Sequence, residues 1–158
     1  MKLTTVLTSL TIVASALAIP PAVAADKKAP AAAVPTPPAG KGQIVFFRPG
    51  SIVGAAIRCT VRESGKMVGR LMRGKYFVVA AEPGRRAYTT KTEATDTLNV
   101  NVEPDETQYV SCKIGAGFGA GRPNLSPANK ADFDAKAAKL ELVDSAELAK
   151  LIAEDDGK

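Results

Sequence analysis

The sequence predicts an antiparallel β-sandwich of about seven short strands, followed by one or two short C-terminal helices. Three observations carry this expectation. Short β-branched and aromatic runs recur between residues 43 and 115, several of them alternating apolar and polar side chains. Clusters of Pro, Gly, Asn and Asp punctuate these runs. Two cysteines, Cys59 and Cys112, fall on the apolar phases of their runs, where a bridge between two facing sheets would need them.

The chain opens on a different signal. Lys2 precedes an uncharged stretch at 3–19 (LTTVLTSLTIVASALAI), Pro20 and Pro21 break any helix, and Ala22, Val23 and Ala24 set small residues before Ala25. A charged start, an apolar middle and a small-residue end describe a cleavable export signal over residues 1–24. A bilayer span needs roughly 20 predominantly apolar residues. This run is shorter, is diluted by Thr and Ser, and ends at Pro-Pro, so no transmembrane segment is expected after cleavage. No cysteine stands near the cut to accept a lipid. The expected product is a soluble periplasmic or secreted protein.

Residues 25–42 (ADKKAPAAAVPTPPAGKG) contain four prolines and no apolar periodicity. Such a segment buries too little surface to offset its ordering entropy, so it reads as a disordered, partly polyproline-II linker. A single domain is then expected over 43–154, with a frayed tail at 155–158.

Ile44, Val45, Phe46 and Phe47 form the first strand, stopped by Arg48, Pro49 and Gly50. Residues 55–62 alternate: Ile57, Cys59 and Val61 point one way, Arg58, Thr60 and Arg62 the other. A turn at 63–66 leads through a short strand at 67–69 to Leu71 and Met72, and Arg73-Gly74 turns into a run at 76–80. Pro83 and Gly84 occupy type II turn positions before a strand at 86–92. Leu98, Val100 and Val102 alternate with Thr97, Asn99 and Asn101, and after a turn at 103–106 the run at 108–114 completes the set. Ser126 and Pro127 read as N-cap and first residue of a helix over 128–139. Residues 139–143 suggest a last strand, and Leu148, Leu151 and Ile152 give a helical stripe within 146–154.

Composition excludes more than it assigns. The chain carries 21 Lys+Arg against 16 Asp+Glu and no histidine. Without histidine it lacks the usual general base, the usual partner of a nucleophile and the commonest metal ligand. No cofactor or metal site is expected. Two distant cysteines in an exported chain read as a structural disulfide rather than a redox pair.

The order GQIVFFRPG, ESGKMVGRL, GKYFVVAAEPGRRAY, LNVNVEPDETQYVSC resembles the bacterial envelope domain-of-unknown-function family 2846. The likeness covers residues 42–112 and extends towards KLELVDSAEL. It rests chiefly on Arg48-Pro49, on Gly74 with Tyr76 and Phe77, and on Pro83-Gly84-Arg85. It implies a transthyretin-like or immunoglobulin-like sandwich from a bacterium. Many members look like lipoproteins, and this chain has no acceptor cysteine at its cleavage site. The family brings no catalytic residue with it.

Candidate sites are few. Basic residues concentrate between Arg58 and Arg86, and Arg58, Arg62, Arg70 and Arg73 could form a face for an anionic surface component such as lipid head groups or glycan phosphates. Nucleic acid is not an expected partner, because export separates the chain from it and aromatic interleaving is poor. The glycine-rich stretch at 115–121 lacks the Gly-Lys-Ser/Thr of a phosphate loop, leaving Phe118 and Arg122 as a contact loop. Glu103, Asp105 and Glu106, and Glu154, Asp155 and Asp156, sit on a turn and a tail without calcium-loop spacing. The expectation is therefore a non-catalytic envelope binding or accessory module whose partner is an envelope protein or anionic component. The alternative is an enzyme inhibitor, or an enzyme, on the same scaffold.

Overall fold

A computed structural model of the chain describes residues 32–52, 54–91, 94–117 and 121–157. The export signal and Phe118 lie outside the described residues. Among the described residues, nine strands and two helices follow in order: β1 Gly42–Arg48, β2 Cys59–Glu63, β3 Lys66–Leu71, β4 Lys75–Ala81, β5 Gly84–Lys91, β6 Thr95–Val102, β7 Thr107–Gly115, β8 Arg122–Ala128, α1 Lys130–Ala137, β9 Glu141–Leu142 and α2 Ser145–Asp156. They build two sheets, β8-β7-β1-β4-β9 and β3-β2-β5-β6. The chain is mainly β, a sandwich with short C-terminal helices, as its strand-and-turn pattern predicts. Two pairings depart from the antiparallel expectation: β1 runs parallel to β7, and β4 parallel to β9.

Strand β1 is buried at all seven positions because both its faces are covered. Ile44 and Phe46 face the other sheet, while Val45 and Phe47 meet a second apolar layer outside. That explains a continuous apolar run where a half-buried strand would alternate. Between the sheets, Phe46 stacks on Phe77 (centroids 5.2 Å apart) and meets Tyr88 edge-on (5.0 Å). The Cys59–Cys112 disulfide joins β2 to β7 across this core. Outside, α1 inserts Phe133 among Phe47, Tyr76 and Tyr109, at centroid distances of 5.4, 5.3 and 5.6 Å.

The Ala/Pro-rich segment is not a free linker over its second half. Ala32 and Val34 pack into the outer layer. The Tyr76 hydroxyl donates to the Ala33 carbonyl at 2.9 Å, and Gln43 Nε2 donates to the Pro35 carbonyl at 2.5 Å. Polar partners from two strands thus satisfy a backbone that has no ladder of its own.

Ser126 and Pro127 do not start a helix; they belong to β8, and the cap is Asn129, whose side chain accepts from the Asp132 amide in a capping box. Edge position is what admits the prolines. Pro123, Leu125 and Pro127 share one phase of the ladder with β7, and the Leu125 amide points away from it to Asp96 Oδ2 at 2.7 Å. A proline in that phase loses no ladder bond. The alternation at 55–58 also fails as strand, because residues 54–56 turn. Buried Arg48 holds this loop by donating to the carbonyls of Gly54 (2.6 Å), Ile57 and Leu71 (3.5 Å). Burial, and then the nearby Arg73 charge, lower the Arg48 pKa.

Candidate functional site

The arginines expected on one face separate into three settings. Arg58 precedes β2 and Arg70 lies on β3, and both line a cavity of about 400 Å³ with Met72, Lys75, Val143 and Leu151. Arg70 Nε donates to Thr60 Oγ1 at 3.3 Å across the β2–β3 pair. Among the described residues no carboxylate oxygen lies within 4.0 Å of Arg58 or Arg70. Lys75 is instead paired with Glu141 at 2.6 Å.

Helix α2 builds the opposite wall. Asp144 caps it by accepting from the Ala146 and Glu147 amides, at 2.8 and 3.3 Å, which favours a helix start there. Glu147, Leu151 and Glu154 then follow one helical face towards the cavity. Two glutamates therefore look across at two arginines without bridging to them. This wall escaped sequence reasoning, although the spacing of 147, 151 and 154 was a readable signal.

Arg62 belongs to neither wall. It donates to both carboxylate oxygens of Asp155, at 2.6 and 2.7 Å, and to the Gly65 carbonyl at 3.0 Å. The Asp155 hydrogen bond is the largest cause of its raised pKa, opposed by burial. The tail is thus not frayed at Asp155; the helix runs through Asp156 and is pinned to the sheet. Arg73 lies elsewhere, lining a shallow site with Gly50, Ile52, Lys139 and Glu141. Arg122 opens β8, and Phe118, the other residue of the expected contact loop, is outside the described residues.

The carboxylates at 103–106 hold a turn: Asp105 takes a positive φ of 60° and accepts from the Gly40 amide at 2.9 Å. Among the described residues no three His, Cys, Asp or Glu side chains gather as a metal site. Among them, too, no helix is long and apolar enough to cross a membrane. No protein-family model, curated protein or solved structure matches the chain.

Proposed function

We propose that this chain is an exported, non-catalytic binding or accessory module of the bacterial envelope, soluble after loss of residues 1–24, that contacts an anionic envelope component through Arg58 and Arg70. The observation carrying the reading is the pair of guanidiniums on one cavity wall with no carboxylate oxygen among the described residues within 4.0 Å. Guanidinium donors match phosphate and carboxylate oxygens in paired geometry. Glu147 and Glu154 opposite them restrict the contact to a compact anionic group. The export pattern of residues 1–24 and the likeness to envelope proteins of family 2846 support the setting.

The test is sedimentation with vesicles containing phosphatidylglycerol at increasing salt. Wild type is expected to pellet at low salt and release as salt rises. The Arg58→Gln/Arg70→Gln variant should stay in the supernatant, whereas Arg73→Gln should behave as wild type. Equal retention of all three proteins would end the reading. A mature protein whose mass does not start at Ala25 would end the expected cleavage separately.

A further inference from the structure

The outer face of the five-stranded sheet is covered unevenly. Along β7 the outward positions are Tyr109, Ser111 and Lys113, since Val110 and Cys112 face the core. Helix α1 covers Tyr109 with Phe133 but passes beside the next two. A groove of about 310 Å³ remains there, between the helix and the ends of β1 and β8.

Its lining is graded from apolar and deep to charged and open. Phe47 and Ser111, paired in the β1–β7 register, are 2% and 4% exposed and lie at the bottom. Pro49 and Pro127 stand on either side, and exposed Lys113 and Lys136 mark the mouth. The Ser111 hydroxyl has no hydrogen-bond partner among the described residues, although its residue is almost fully buried. Among the described residues the side-chain polar atom fully buried without a partner is the Tyr88 hydroxyl, so the Ser111 hydroxyl is open to the groove, where a ligand group can pair with it.

The charges at the mouth are equally uncommitted. Asp132 also lines the groove, but its carboxylate accepts from the Asn129 amide at 3.1 Å in the capping box. No carboxylate oxygen among the described residues lies within 4.0 Å of Lys113 or Lys136. Two ammonium groups at the opening, an apolar floor of Phe47 beneath them and one hydroxyl at the bottom define the chemistry of a ligand.

We propose that this groove binds a small flat carboxylic acid that carries a hydrogen-bonding group opposite its carboxylate. The carboxylate sits between Lys113 and Lys136, the flat body lies over Phe47 between the prolines, and the far polar group pairs with Ser111. The site is independent of the Arg58–Arg70 cavity, which lies against the other helix.

Amide chemical-shift titration of the full mature chain with 4-hydroxybenzoate, benzoate and 4-hydroxybenzamide tests this. Saturable shifts around Ser111, Lys113 and Ala135 are expected. Affinity for 4-hydroxybenzoate should exceed that for benzoate by about fivefold, one hydrogen bond's worth. It should exceed that for the uncharged amide by a similar factor at low salt. Ser111→Ala should erase the first preference and leave the second; Lys113→Gln/Lys136→Gln should do the reverse. Saturable binding with the same preferences in both variants would overturn the proposal, and so would no saturable binding by wild type. Ser111→Ala should also melt no lower than wild type, because its hydroxyl gives up no partner. A clear fall in Tm would mean an internal partner and would overturn it as well.

Discussion

Arg62 and Asp155 stand 93 positions apart and meet fork to fork, Nη1 donating to Oδ2 at 2.6 Å and Nη2 to Oδ1 at 2.7 Å. This contact joins the end of α2 to the middle of the four-stranded sheet. Helix α2 has no fully buried residue, and its only half-buried apolar ones are Leu148, Leu151 and Ile152, so an ionic clamp at half-buried Asp155 carries more of its attachment than usual. The partners' side chains are 33% and 15% exposed, so the pair is partly screened and contributes about 1 kcal/mol. Asp155→Asn should speed hydrogen exchange in α2 by several-fold while leaving β1 and β7 protected. Loss of protection across the whole sandwich would contradict a local clamp.

Tyr88 makes the fold sensitive to alkali. Its ring is fully buried, its hydroxyl has no partner among the described residues, and burial, aided by the Glu63 charge, pushes its pKa from 10.0 to about 12. A raised folded pKa means the protonated phenol's contribution is complete below about pH 10 and is lost as pH climbs towards about 12. Two pH units correspond to about 3 kcal/mol. Tyr88→Phe should therefore match or exceed wild-type stability near neutrality and lose less between about pH 10 and 12. Urea unfolding across that range reads both effects, and a large neutral-pH loss would show that the hydroxyl is paired.

The disulfide spans 53 positions and ties the two sheets together. Closing a loop of that length removes about 4 kcal/mol of unfolded-state entropy in the chain-entropy model. That is a large share of the roughly 5–15 kcal/mol typical of a domain. Cys59→Ala/Cys112→Ala should lower the urea midpoint strongly, and reductant should shift wild type but not the variant.

Gly69 has no room for a side chain. A Cβ there would stand 2.4 Å from the end of the Phe77 ring, which stacks on Phe46. Gly69→Ala should cost about 1–3 kcal/mol through displaced aromatics. Gly65, with open space around it but a φ of +82°, is the contrasting case. There Ala should destabilise through the backbone alone, and Asn should recover part of the loss. Thermal melts of the three variants separate packing from conformational strain.

What was legible in the sequence was local. The alternation of Cys59 with Val61, and of Leu98, Val100 and Val102, placed side chains on the core face because period two is enforced by the pleat itself. The bridge followed from both cysteines keeping that phase. Strand β8 was hidden because Ser-Pro is a good helix start, and only the Asp96–Leu125 bond, 29 positions away, reveals an edge that suits proline. The parallel β1–β7 pair was hidden for a similar reason: nothing in GQIVFFR marks its neighbour. The density of arginines predicts one face, whereas an acidic helix late in the chain takes Arg62 and walls off Arg58 and Arg70.

Strand β1 lies at the centre of its sheet, yet Gln43 faces Thr107, 64 positions later. At a synthesis rate of about 5–20 residues per second, the stretch GQIVFFR waits roughly 3–13 s before its second neighbour exists. During that interval it is a seven-residue strand with four consecutive large apolar residues and one side unpaired, the kind of segment that joins other chains. A newly made chain is therefore most vulnerable early, before residue 107 is joined. A holding chaperone, or passage through a channel too narrow for pairing, would protect the segment until β7 arrives.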